Sequence, residues 1–581
     1  MEYQPMARVL AIVIGLFFSF AVHAQVAPVS RTPAIPPAQA INARNGMVVA
    51  QEQRAARIGV EILDRGGNAV DAAVATGFAL AVTYPRAGNI GGGGFMVIHL
   101  AKDNRDIAID YRETAPNAAT PAMFLDTKGE PDQAKSRDSA LSVGVPGTVA
   151  GLALAHRKYG SGKLRFAELI APAIDLAEKG FPVEDDVADS LLHGRERLAR
   201  WRSSAGIFLN GSQPLREGDR LLQFDLADTL RAIANQGHSA FYQGRIAERI
   251  ADAVQRAGGI LSKDDLAGYR PVERAVVRGN YRGYDIVSMP PPSSGGVHLI
   301  EMLNVLEGYD LGKMPREQAL HYEIEAMKRA YADRAMFMGD PDAVTMPIAG
   351  LLSKKYAANL RASIGERATP SVEIRPGKPA DFEGRNTTHF SIIDRDGNAV
   401  SNTYTLNFSY GLGLVADGTG VLLNNELDDF TAKPGASNAY ELVGFAANLP
   451  GPGKRPLSSM TPTILLKDGK PVLVTGSPGG SRIISAVLQV IVNALDFHMP
   501  IAEAVTVPRI HHQWQPDQVY VEPDFPPSLL DALAARGHKI VPTEPHTSAN
   551  SIAVIPKGEF TPQTYVGAAD TRTRGALAAG Y

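Results

Sequence analysis

The sequence contains no cysteine, which excludes disulfides, thiolate metal sites and a cysteine nucleophile. It also lacks a surplus of charge of one sign. The formal net charge of -3 gives no sign of the basic face with which nucleic-acid-binding proteins meet phosphate. Past the first two dozen residues no apolar run approaches the ~20 residues that a membrane-spanning helix needs. No fixed-period repeat is visible. What is present is ordinary globular material: 581 residues, 45% hydrophobic and 20% charged, long enough for two to four average domains and a large core.

The amino terminus reads as an export signal. Arg8 precedes a fourteen-residue apolar run from Val9 to Val22, and Val22-His23-Ala24 sets small residues at the usual −3 and −1 positions. Fourteen residues are short for a span; the competing reading is an uncleaved anchor. Cleavage after Ala24 places the mature protein in the periplasm or outside the cell, with the Pro- and Ala-rich residues 25–40 as a leader.

Along the chain, Gln51 to Val82 carries a helical pattern, with Asn68 as an N-cap for the run from Ala69. The glycine-rich stretch Gly88 to Phe95 precedes an apolar strand from Met96 to Leu100. It matches neither a dinucleotide fingerprint nor a phosphate loop, so close backbone packing is expected of it. The strand Asp106–Tyr111 delivers Arg112 and Glu113. Residues 143–360 are mostly helical, broken by the strand Tyr284–Ser288 and a proline-glycine run at 290–296. Residues 366–386 turn polar and proline-bearing, which predicts an exposed loop. Beyond it the texture is strands between Gly/Pro turns, with helices at 481–497 and 526–536.

The step out of that loop organises the rest. His389 to Ile393 is β-prone, Asp394-Arg395-Asp396-Gly397 is a turn, and the chain returns through Ala399 to Asn407. Asp at the first turn position and Gly at the fourth suit a type I turn closed by a glycine bulge. Asp394 then faces Asn398 and Thr387 faces Thr405, with Asn407 on the same face and Thr388 on the other. An exposed loop emptying into a strand is the geometry that self-cleavage requires.

Four further segments follow this hairpin in order: Asn425-Glu426-Leu427-Asp428-Asp429-Phe430, Arg455 to Met460, Gly476 to Arg482, and the terminal Ala579-Gly580-Tyr581. Together with Thr387-Thr388-His389, Asp110-Tyr111-Arg112-Glu113 and Ser288 to Gly296, they closely resemble the γ-glutamyltranspeptidases, a family of N-terminal-nucleophile hydrolases. The resemblance covers nearly all of the chain after the first forty residues. It implies an α+β fold, a four-layer αββα sandwich. It also implies a precursor cut between Asn386 and Thr387 into a large chain, 25–386, and a small chain, 387–581, which remain halves of one unit.

The implied reaction is γ-glutamyl transfer or hydrolysis on glutathione and other γ-glutamyl amides. A threonine hydroxyl is a poor nucleophile without a base. Cleavage supplies one, the new α-amine of Thr387, because a free α-amino group titrates at about 7.7–8.0. In the resemblance Thr387 is the nucleophile, and Thr405 is a hydroxyl able to orient it. Arg112, Ser458 and Ser459 match the groups that hold the substrate carboxylate; Asp429 matches the carboxylate that receives its ammonium. Glu426 and Asn407 match further polar pocket positions. Gly479 and Gly480, just before a helix, offer backbone N–H groups for an oxyanion. Residue 475 is Thr, so this segment is no GxSxG nucleophile elbow. Residues 434–454, with Tyr440 as the closing aromatic, form a lid in the resembling enzymes.

No cofactor or metal is implied. His511 and His512 are adjacent and point to opposite faces, without a third ligand pattern. The implied partners are small molecules (γ-glutamyl donors; water, amino acids or short peptides as acceptors) and the two chains as a heterodimer. Nucleic acid and stable membrane insertion are not. Two rivals stay open: a related acylase acting on glutaryl or cephalosporin-type amides, and an uncleaved periplasmic protein that binds γ-glutamyl compounds.

Overall fold

In the computed structural model, residues 35–375, 388–437 and 441–581 are described. The export signal, the Asn386–Thr387 junction and Tyr440 lie outside these residues. No helix among the described residues is long and apolar enough to cross a membrane.

Two seven-stranded antiparallel sheets make the frame. Their strands in chain order are β1 (Ala40–Ala43), β2 (Gly46–Ala50), β3 (Gly93–Leu100), β4 (Arg105–Tyr111), β5 (Val272–Arg274), β6 (Val277–Tyr281), β7 (Tyr284–Ser288), β8 (Thr388–Asp394), β9 (Ala399–Thr405), β10 (Thr463–Lys467), β11 (Lys470–Thr475), β12 (Ser551–Ile555), β13 (Thr564–Ala568) and β14 (Leu577–Gly580). The first sheet runs β14-β2-β8-β9-β3-β4-β5 and the second β1-β13-β12-β11-β10-β7-β6. Strands from before residue 376 and from after residue 387 therefore interleave in both sheets.

Alternation along the central strands assigns the layers, because successive side chains leave opposite faces. Met96 and Ile98 of β3, Ile107 and Ile109 of β4, and Phe390 and Ile392 of β8 join one core. That core is shared with α1 (Gln53–Asp64), α2 (Ala69–Thr83), α3 (Thr148–Tyr159) and α4 (Phe166–Lys179). Phe95, Val97, Ala108 and Ile393 face the other way, into a core with Ile464, Leu465, Val474 and Ile552 of the second sheet. That core continues onto α5 (Gly295–Leu306), α6 (Arg316–Phe337) and α7 (Arg482–Leu495). The order helix, sheet, sheet, helix is the expected αββα sandwich.

Local chemistry sets the elements where the sequence predicts them. The Asn68 side chain accepts from the Val70 and Asp71 amides while Asp71 accepts from the Asn68 amide, a complete capping box for α2. The hairpin keeps its predicted register, Thr388 opposite Tyr404 through Ile393 opposite Ala399. Asp394 N–H donates to the Asn398 carbonyl, and Gly397 takes a positive φ of 86° that closes the turn. The glycine run is packed against backbone as expected. A Cβ on Gly92 would stand 2.0 Å from the Thr405 carbonyl oxygen, and one on Gly91 would stand 2.1 Å from that of Leu422.

One stretch departs from expectation. Ser371 and Ile374, inside the segment predicted as an exposed loop, are buried. The Trp514 indole N–H donates to both of their carbonyls, at 3.0 and 3.1 Å, and the Ser371 amide donates to Asp517 at 2.8 Å. An indole N–H lodged in a core needs an acceptor, and this segment supplies two.

Gly92→Ala should lower thermal stability by roughly 3 kcal/mol or more, since backbone atoms cannot yield as a side chain can. Gly206→Ala, where a Cβ meets nothing within 4 Å, should be neutral or slightly stabilising. Matched thermal melts of the two variants check this; equal melting points would contradict the packing argument.

Candidate active site

Arg112 leaves the end of β4 into the interior and is fully buried. Its guanidinium donates from Nε to the Pro456 carbonyl at 3.1 Å and from Nη2 to the Leu457 carbonyl at 3.1 Å. Nη1 also donates to Glu426 and Nη2 to Asp429, both at close range. All but one of its N–H groups are thus engaged. The two carboxylates come from one 3₁₀ turn, Glu426–Asp429, so a single short element brings both to the same cation.

That turn is held by asparagines on either side. Asn424 Oδ1 accepts from the Glu426 amide at 3.0 Å and from the Gly144 amide at 2.9 Å. Asn448, at the base of the predicted lid, donates to the Asp429 carbonyl at 2.7 Å and accepts from the Leu457 amide at 3.1 Å. Asp428 turns away from Arg112 and accepts from the Ser136 hydroxyl at 2.5 Å; burial pushes its carboxyl up to about 6.

A third carboxyl, Glu113, stands 3.9 Å from Arg112 Nη1, enclosed by Gly93 and Gly144. Burial, reinforced by the Glu426 charge, pushes Glu113 well above the ordinary carboxylate range. Burial also raises Glu426, to about 7, against the pull of Arg112. Three acids around one guanidinium cannot all ionise cheaply, so the group holds a proton near neutral pH.

The hairpin side of the site lies at the end of β9. Thr405 is buried, and its Oγ1 accepts from the Asn407 amide at 2.9 Å. Asn407 takes a positive φ of 73°, and its Nδ2 donates to the Asn425 carbonyl at 3.1 Å, which ties Thr405 to the acidic turn. Its buried Oδ1 has no hydrogen-bond partner among the described residues. Thr388 points to the opposite face, as expected, and donates to Gln51.

His389 is locked in place, with Nδ1 2.9 Å from Thr403 Oγ1 and Nε2 3.0 Å from Ser391 Oγ. Burial pushes its pKa down to about 3, so it is a neutral structural group rather than a base for a neighbouring threonine. A Cβ on Gly476 would stand 2.4 Å from the His389 ring, so the start of the Gly476–Gly480 loop lies directly against β8. Gly479 and Gly480 follow with positive φ values of 129° and 62°, immediately before α7. Their amides hydrogen-bond to no other described residue, which leaves them as donors at a helix entrance.

Ser458 and Ser459 are buried beside the Pro456 and Leu457 carbonyls that Arg112 engages. Seven of the residues named from sequence converge: Arg112, Glu426 and Asp429 directly, Ser458 and Ser459 through the adjoining backbone, and Thr405 and Asn407 through Asn425. Sequence reasoning gave no role to Glu113, Asn424 or Asn448. Glu113 could have been found from its place beside Arg112 at a buried strand end.

The adjacent histidines at 511 and 512 are hydrogen-bonded within the fold. His511 contacts Ser485 and Gln513 at 2.8 and 3.0 Å, whereas His512 contacts Asp517 at 3.2 Å, on opposite faces as predicted. Among the described residues one cluster, His321, Glu325 and His538, has metal-ligand proximity. Its histidines contact each other at 2.8 Å and Glu325 is paired with Arg329 at 2.6 Å.

Comparison with known proteins places the chain in a family. The family model described as gamma-glutamyltranspeptidase matches residues 55–580. The glutathione hydrolase proenzyme of Escherichia coli K12 is 50% identical over 577 residues, covering 99% of this chain and 98% of the relative. Among solved structures, a cephalosporin acylase from Bacillus halodurans superposes with a TM-score of 0.83 at 29% identity, covering 96% of this chain and 98% of the other. The Helicobacter pylori gamma-glutamyltranspeptidase chain gives 0.55 at 45% identity, covering 60% of this chain and 97% of its own. With the match spanning almost the whole sequence, the chain belongs to the γ-glutamyltranspeptidase family.

Proposed function

We propose that the protein is a γ-glutamyl transferase and glutathione hydrolase that acts through Thr387 after cleavage of the Asn386–Thr387 bond. The observation that carries this reading is the buried cluster of Arg112, Glu426 and Asp429. One guanidinium facing two carboxylates is the complement of a zwitterion. A γ-glutamyl donor can place its carboxylate on Arg112 while its ammonium takes up the carboxylates displaced there. Because the zwitterionic end of the donor is net neutral, the net charge of the site does not change on binding. Ser458 and Ser459 complete the carboxylate side, Asn407 the ammonium side.

In this scheme Thr387 Oγ first attacks the Asn386 carbonyl, an N-to-O shift gives an ester, and water releases the large chain, 25–386. The described register, which begins with Thr388 opposite Tyr404, agrees with the turn geometry from which the Thr387–Thr405 pairing was expected and so supports this reading. In turnover the α-amine of Thr387 takes the hydroxyl proton as Oγ attacks the γ-carbonyl of the donor. The Gly479 and Gly480 amides stabilise the oxyanion. The leaving amine takes that proton as the γ-glutamyl–threonine ester forms, and water or an acceptor amine resolves the ester. In this reading residues 434–454, with Tyr440, serve as a lid over the site. The two chains persist as a heterodimer, exported to the periplasm or beyond. No step calls for a metal or cofactor.

The acylase relative marks the principal rival, in which the donor is a glutaryl amide. Such a donor brings the same single carboxylate but no ammonium, which leaves Glu426 and Asp429 uncompensated in a buried site. Uncompensated buried charge costs roughly 3–5 kcal/mol. A γ-glutamyl anilide should therefore exceed a glutaryl anilide by at least ~100-fold in kcat/KM. Comparable turnover of the two would overturn the γ-glutamyl assignment.

Thr387→Ala should yield a single uncleaved chain without turnover, as intact mass and amino-terminal sequencing would reveal. Two chains meeting at the same junction would remove Thr387 from the mechanism. A single wild-type chain that binds glutathione without turning it over would instead support the binding-protein reading.

Donor affinity should also depend on pH. Glu426, with its carboxyl raised to about 7, must be ionised to receive the ammonium. KM for the donor should thus fall by roughly tenfold from pH 6 to pH 8, and Glu426→Gln should flatten that profile. A wild-type profile already flat would exclude Glu426 as the ammonium partner.

A further inference from the structure

The serine-glycine run that follows the prolines at 290–292 has no place in the scheme above, yet the structure joins it to the pocket wall. The Ser458 amide donates to the Pro292 carbonyl at 2.9 Å. In return, both the amide and the hydroxyl of Ser294 donate to the Ser458 carbonyl at 2.8 Å. Ser293 Oγ donates to the Met460 carbonyl at 2.6 Å. The strand-like segment that carries Ser458 and Ser459 is therefore laced to the entrance of α5 rather than left as a free loop.

Behind this lacing lies a second fully buried arginine, Arg334, from α6. Its Nε donates to Ser294 Oγ at 2.7 Å and its Nη2 donates to Ser459 Oγ at 2.9 Å. A guanidinium has donors only, so each serine must accept from it. For Ser294 this fixes the hydroxyl proton on the Ser458 carbonyl. For Ser459 it occupies an oxygen lone pair and directs the hydroxyl proton to an acceptor.

We propose that Arg334 is a positioning residue for donor recognition: acting through Ser459 and Ser294, it makes the Ser458–Ser459 wall a hydrogen-bond donor set that accepts a carboxylate oxygen and not an ammonium. The proposal rests on the γ-glutamyl reading of the pocket. It extends that reading by explaining how two neutral serines acquire a polarity. Arg112 binds the donor carboxylate by charge, and Arg334 orients the neutral donors beside it without touching substrate. A planar two-point fork is needed, because one side chain must serve two hydroxyls on different segments.

The test is a kinetic cycle on the mature enzyme with a γ-glutamyl anilide, using Arg334→Lys, Ser294→Ala, Ser459→Ala and the double variant Arg334→Lys/Ser459→Ala. Lysine keeps the charge and loses the fork. The expected result is a KM raised about tenfold in Arg334→Lys with kcat within about threefold, and a smaller rise in Ser294→Ala. The double variant should exceed Ser459→Ala by no more than the rise seen in Ser294→Ala, since the arginine acts through those two serines.

Additive losses in the double variant, or an unchanged KM in Arg334→Lys where Ser459→Ala raises it, would overturn the proposal. If Arg334→Lys fails to fold, Ser294→Ala decides, and a wild-type KM there is a refutation. Failure of the underlying reading shows itself separately, as a wild-type enzyme that does not turn over the anilide.

Discussion

A guanidinium withdrawn from water must meet its counter-charges in place, and much of this molecule is arranged so that Arg112 can do so. Strand β4 carries it inward, the 3₁₀ turn at 426–429 supplies two carboxylates, and the 456–457 backbone supplies two carbonyls. Those elements come from regions of sequence more than 300 residues apart. Neither the cation nor the acids would be tolerable at that depth alone, since unpaired buried charge is strongly destabilising. Burial of the site and its chemistry are therefore one constraint. The geometry of the cluster is held by these mutually dependent charges.

Much of the frame was legible in the sequence because it follows from local rules. The Asn68 cap, the periodic helices and the Asp394–Gly397 turn each follow from side chains within a few residues of one another. The hairpin register followed from turn type alone, and it carried Thr405 and Thr388 to opposite faces without any tertiary information. The pocket residues were another matter. Arg112, Asp429 and the two serines are unremarkable singly, and only their joint resemblance to a family marked them out.

What stayed hidden was long-range pairing of side chains. Nothing near Arg334 in the sequence announces that its guanidinium ends on Ser459, and nothing near Asn448 announces its bridge from the acidic turn to Leu457. The burial of Ser371 and Ile374 was missed for the same reason: the segment is polar and proline-bearing, but Trp514, far along the chain, captures its carbonyls. Glu113 was visible and passed over, although a carboxyl buried beside an arginine at a strand end carries a physical signal of its own.

The interleaving of strands in the two sheets has one further consequence. In each sheet, strands that precede residue 376 hydrogen-bond with strands that follow residue 387 at more than one seam. A break in the covalent chain between those stretches would leave each fragment with several unpaired strand edges and half a core, so neither could stand alone. Native association would persist because separation demands the loss of both sheets at once. Reassembly from unfolded fragments would become bimolecular, where the uncut precursor needs only to fold upon itself. Such a molecule holds its shape by the height of its unfolding barrier more than by reversible equilibrium, and its lifetime becomes a rate.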